Sequence, residues 1–83
     1  MDLSKKQIQF LNTLNNYQNS TESLLRIGKK VFKTEVSIYD AIQLFENLGY
    51  IKLSKEIKLI KFVVTLKGRN FLMKQFDNTT KFK

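Results

Sequence analysis

The hydrophobic period changes twice along this chain, and each change falls where a helix can end or begin. From Ile8 to Leu48 the apolar residues recur mostly at helical spacing. After Gly49 they alternate, first in Tyr50-Ile51-Lys52-Leu53-Ser54 and then in Lys58-Leu59-Ile60-Lys61-Phe62-Val63-Val64. Alternation rich in branched and aromatic residues is the pattern of a half-buried strand. Ser54-Lys55-Glu56-Ile57 is left as a short turn, so the two strands read as an antiparallel hairpin. Helical spacing returns after Thr65. A chain of 83 residues has room for one small core. The reading is a single domain over residues 1–76 and a flexible polar tail over 77–83.

Capping signals set the expected helix boundaries. Ser4-Lys5-Lys6-Gln7 reads as a capping box that starts a helix from Lys5 to Tyr17. Its apolar residues, Ile8, Phe10, Leu11, Leu14 and Tyr17, cover an arc wider than one core-facing stripe needs. Either the helix is central and touched from two sides, or part of the arc serves a second subunit. Asn19-Ser20-Thr21-Glu22 is a second cap, for a short helix from about Ser20 to Lys30 with Gly28 near its end. Val31 and Phe32 should tuck beneath it as core. Ser37 reads as the cap of a third helix, with Asp40 near the positive end of its dipole. Ile38, Ala41, Ile42, Phe45 and Leu48 form its buried face, and Gly49 ends it. Tyr39, Asp40, Gln43, Glu46 and Asn47 form the opposite face. Thr65 should cap a last helix from Leu66 to Phe76 that buries Phe71, Leu72 and Phe76. Leu66 and Met73 fall on its other side.

Composition narrows the chemistry. The chain has no cysteine and no histidine, which removes disulfides, the usual nucleophile–base pairs and nearly all transition-metal sites. Its three glycines are isolated, so no phosphate-cradling loop exists. No enzyme activity, cofactor, metal or small-molecule ligand is expected. No apolar run approaches the ~18 residues of a membrane-spanning helix, and no secretion signal follows Met1. Membrane binding is therefore not expected, and the cytoplasm is the expected location. What remains is charge: 15 Lys+Arg against 7 Asp+Glu, a net +8. A positive field on a small domain favours a polyanionic partner. The distribution is uneven, because residues 34–51 carry Glu35, Asp40 and Glu46 and no base, while basic runs lie on either side.

The order helix, helix, helix, hairpin, helix resembles the winged helix-turn-helix domains of small bacterial, archaeal, viral or plasmid transcription regulators. Two segments carry the likeness. Ile38 to Ile51, ending Asn47-Leu48-Gly49-Tyr50-Ile51, looks like that family's recognition helix running into its first wing strand. Val64-Thr65-Leu66-Lys67-Gly68-Arg69-Asn70-Phe71-Leu72 is similar to the segment that leaves the wing and enters the last helix. The fold class so implied is mainly α with a β-hairpin. The sequence departs from the pattern in a longer connection between the second and third helices. It departs again in a third helix whose exposed face carries no Lys or Arg to pair with guanine.

The resemblance implies a DNA-binding regulator, with the third helix, residues 37–49, in the major groove. Ser37, Tyr39, Asp40 and Gln43 are then the base-reading candidates. Lys29, Lys30, Lys33, Lys52, Lys55 and Lys58 are the phosphate and wing candidates, which position the protein without reading sequence. Duplex DNA is the expected partner, and a homodimer through the first and last helices the expected assembly. The alternative is an accessory module that binds single-stranded DNA or a protein within a replication, recombination or mobile-element complex.

Overall fold

The computed structural model describes residues 3–17, 23–56 and 59–80, without the side chains of residues 55, 56, 59, 60 and 76–80. Four helices and one hairpin follow in the order α1 (Lys5–Asn16), α2 (Leu24–Gly28), α3 (Glu35–Leu48), β1 (Ile51–Glu56), β2 (Leu59–Val64) and α4 (Leu66–Thr80). The fold is mainly α with an antiparallel two-stranded hairpin.

The capping box that starts α1 is complete. The Gln7 backbone N–H donates to Ser4 Oγ at 3.2 Å, and the Ser4 N–H donates to Gln7 Oε1 at 2.9 Å. The helix ends at Tyr17, whose N–H donates to the Leu14 and Thr13 carbonyls. Phe10, Leu11 and Leu14 are fully buried. Their wide arc is used within the chain, because α1 packs against α2, α4 and β2.

The short second helix starts later than Asn19–Glu22 suggests. Ser23 is its cap, accepting from the Arg26 N–H at 3.2 Å, so the helix begins directly before its first buried residue, Leu24. Residues 18–22 lie outside the described residues. Beyond Gly28 the chain keeps turning: the N–H groups of Val31 and Phe32 both donate to the Gly28 carbonyl, at 3.0 and 2.8 Å. This turn swings Phe32 onto Phe10, edge to face at 5.5 Å between ring centroids.

The third helix begins earlier than expected. Thr34, not Ser37, is its cap. Thr34 Oγ1 accepts from the Ser37 N–H at 3.3 Å and its own hydroxyl donates to Ser37 Oγ at 2.9 Å. Ser37 thus sits inside the first turn. Glu35 stands ahead of it as a first-turn acid, which favours this start over one at Ser37. Ile38, Ala41, Ile42 and Phe45 are buried and Leu48 is half-buried. Gly49, at φ 76°, supplies the left-handed residue that stops the helix.

The hairpin pairs Ile51 with Val64 and Leu53 with Phe62, and these residues face the core. Lys52 pairs with Val63 and Ser54 with Lys61 on the exposed face. Ser54, Lys55 and Glu56 belong to β1 rather than to a turn, since the ladder runs on to Glu56 opposite Leu59. Ile57 and Lys58 lie outside the described residues.

Thr65 fixes the corner between hairpin and last helix. Its Oγ1 accepts from the Gly68 N–H at 3.1 Å, its hydroxyl donates to the Gly49 carbonyl, and its N–H donates to the Tyr50 carbonyl at 2.9 Å. A Cβ at Gly68 would run into that same Tyr50 carbonyl, so only glycine lets α4 approach so closely. The helix continues to Thr80, past the expected end at Phe76. No glycine or proline follows Gly68 to stop it, and extending a formed helix costs far less than starting one.

Candidate nucleic-acid interface

The start of α1 and the start of α3 lie side by side because Phe32 anchors the intervening loop on Phe10. Between them is an open cleft of about 470 Å³, lined by Ser4, Lys5, Lys6, Phe32, Lys33, Thr34 and Ser37. Its lining includes three lysines and no carboxylate. Two helix N-termini also end there, each with backbone N–H groups beyond those its cap satisfies. Like charges drawn together this way repel unless an anion lies among them, and phosphate is the anion that lysines and helix starts both suit.

From the cleft the exposed face of α3 leads away along the helix. Tyr39, Asp40 and Gln43 are all exposed there, as the sequence placed them, and Ser37 lines the cleft half-buried. Val36 and Tyr39 stand out, at 69% and 57% exposure. Glu35, Asp40 and Glu46 are exposed on this helix without a lysine or arginine beside them in sequence.

The phosphate candidates do not stay together. Lys33 lines the cleft. Lys29 pairs with Glu35 at 3.7 Å, both side chains well exposed. Such a surface pair is worth about 0–1 kcal/mol, so a phosphate can compete for Lys29 at small cost. Lys30 is drawn elsewhere, with its ammonium 5.7 Å from the ring centre of Tyr17. Tyr17 follows the last residue of a helix of 12 residues, about 18 Å from the end that borders the cleft. Lys52 is exposed on the outer face of the hairpin. Lys55 lies in β1 opposite Ile60, and its side chain, like all of Lys58, is outside the described residues.

Lys5 and Lys6 are the residues that sequence reasoning passed over. The signal was present. The first turn of α1 holds two lysines and no acid, where the helix dipole disfavours cations by roughly 0.3–1 kcal/mol each. A placement that costs stability in a helix otherwise well capped points to a use for those charges.

Among the described residues no helix is long and apolar enough to cross a membrane, and no group of acidic side chains could hold a metal ion. No protein-family model, curated protein or solved structure matches the chain.

Proposed function

We propose that this protein is a small winged helix-turn-helix DNA-binding regulator that grips duplex DNA by its backbone and reads it with α3. The observation that carries the reading is the carboxylate-free cleft of Lys5, Lys6 and Lys33 at the start of α3. It holds a phosphate beside the helix that would enter the major groove. The helix then lies with its first turns toward the bases. Gln43 bonds an adenine edge, Tyr39 packs on a thymine methyl or meets a phosphate, and Asp40 accepts from a cytosine amino group. Lys52, on the exposed face of the hairpin, adds a further backbone contact. The element order α1-α2-α3-hairpin-α4 and the Gly49 and Thr65 corners support the winged-helix assignment.

The test is selection from a random duplex pool, followed by titration of the recovered sequence. The reading expects an enriched motif, and lower affinity for every duplex when Lys5, Lys6 and Lys33 are changed to Gln. Recovery of no motif, with affinity indifferent to those three lysines, refutes it. The acidic exposed face of α3 favours a second reading, in which that face docks a basic protein partner and the cleft alone meets nucleic acid. Selection would then yield binding without a motif, and the three lysine changes would still weaken it.

A further inference from the structure

A second groove lies at the corner where the hairpin passes into α4. It is about 470 Å³ in volume and is lined by Tyr50, Leu66, Lys67, Asn70, Phe71 and Lys74. It shares no residue with the α3 cleft.

Three features of this groove belong together. The first is an aromatic platform. The rings of Tyr50 and Phe71 stack at 4.9 Å between centroids and 25° between planes, and both are only partly buried. The Thr65 bond to the Tyr50 carbonyl and the close approach of Gly68 hold the Tyr50 backbone against α4, where its ring meets Phe71. The second is charge. Lys67, Asn70, Phe71 and Lys74 fall at the spacing of one helix face, and the two exposed lysines bracket the ring, about 10 Å apart along the axis. The groove contains no carboxylate, and the sequence from Ile57 to Phe76 carries Lys58, Lys61, Lys67, Arg69 and Lys74 without one acid. The third is Asn70, exposed between the lysines, with an amide that both donates and accepts.

An aromatic surface between two cations and beside an amide suits a ligand with a flat π face, polar edges and flanking negative charge. A second copy of this chain suits the groove less well, because a two-fold contact there would crowd Lys67 and Lys74 of both copies together with no carboxylate in the groove between them. We infer that this groove takes an unpaired nucleotide of a single-stranded nucleic acid. The base extends the Tyr50–Phe71 stack on its outer face, Lys67 and Lys74 hold the phosphates on either side, and Asn70 meets the base edge. This inference is independent of the duplex reading, since it rests on a different face of the molecule.

The experiment is a fluorescence-anisotropy titration of the full chain with a labelled oligothymidine, and with an abasic strand of the same length and charge. The expected result is roughly five- to hundredfold tighter binding of the base-carrying strand, the range that one stacked base supplies. Lys67→Gln with Lys74→Gln touches only exposed side chains. It should weaken oligothymidine binding and lower the salt dependence by about 1.4 in slope, at about 0.7 per lost phosphate contact. Phe71→Leu should remove the preference for bases, with circular dichroism checking that the fold survives. Equal affinity for the abasic strand overturns the proposal. So does binding unaffected by the two lysine changes, or displacement of the oligonucleotide by polyglutamate as readily as by unlabelled strand.

Discussion

Replacing Gly68 by alanine tests the corner that holds hairpin and α4 together, because helix propensity and packing predict opposite signs. On propensity alone, glycine to alanine within a helix stabilises by about 0.8–1 kcal/mol. In this fold the new methyl meets the Tyr50 carbonyl oxygen, a backbone atom that cannot rotate away, and the Val64 side chain at 3.0 Å. Overpacking of this kind costs about 1–3 kcal/mol. If α4 shifts to relieve it, the Thr65 N–H to Tyr50 and the Thr65 hydroxyl to Gly49 bonds are strained as well, at roughly 1 kcal/mol each. The net expectation is a loss of about 1–3 kcal/mol. At about 4–8 °C per kcal/mol for a domain of this size, Tm should fall by roughly 5–20 °C. Thermal melts followed by far-ultraviolet circular dichroism read this directly. Asn70→Ala is the internal control: it lies exposed on the same helix and should be neutral or gain a few tenths of a kcal/mol. A Gly68→Ala protein that melts at or above the parent temperature would refute the close approach and the corner built on it.

Thr34→Ala should cost about 1 kcal/mol and Ser37→Ala distinctly less in urea titrations, since Thr34 is the residue that caps α3. Phe45→Ala, which empties a fully buried site beside Phe10, should cost about 3–5 kcal/mol and leave the chain largely unfolded at moderate denaturant. Changing Lys5, Lys6 and Lys33 to Gln should lower the slope of log affinity for duplex against log salt by about 2.7, at about 0.9 per phosphate contact. Gln43→Ala should leave non-specific affinity unchanged but relax the preference at one base pair, worth about 1–3 kcal/mol, when single-substitution duplexes are compared.

The elements were legible where one local rule dominated. The Ser4–Gln7 box, the Gly49 stop and the Thr65 start each rest on a side chain or a φ angle that few residues supply. Each is found where the residues put it. The buried faces of α1 and α3 follow from helical spacing in the same way. Boundaries slipped where two caps compete within one turn. The Asn19–Glu22 signal against Ser23, and Thr34 against Ser37, look alike in sequence, and the observed starts are the ones that bury Leu24 and pack Phe32 against the core. Sequence alone ends β1 too early because Ser54, Lys55 and Glu56 have weak strand preference. The ladder carries them regardless once Leu53 and Phe62 are paired on the core face. The α3 cleft was half legible. Lys33 could be read as a flanking cation, but its meeting with Lys5 and Lys6 depends on the Phe10–Phe32 contact, which joins residues far apart in the chain. Local pattern holds no information about that pairing.

The alternation of basic, acidic and basic segments along the chain becomes, in the folded molecule, a division of labour by position. The cations stand at the start of α3, on the hairpin and along α4, while the exposed side of α3 keeps Asp40 and Glu46. For a protein that held DNA by charge alone this would be a poor arrangement, since each carboxylate near phosphate subtracts from affinity. For a reading helix it has a use. A carboxylate finds a donor only at the amino groups of cytosine and adenine and is left desolvated and unpaired against guanine and thymine edges, so it penalises wrong sequences more than it rewards right ones. On the proposed reading, lysines at the helix start would fix the register from which that penalty is felt. Neutralising the acids should therefore raise affinity for all duplexes while narrowing the gap between the preferred site and the rest. If Asp40→Asn with Glu46→Gln widens that gap, or lowers affinity throughout, α3 does not face DNA.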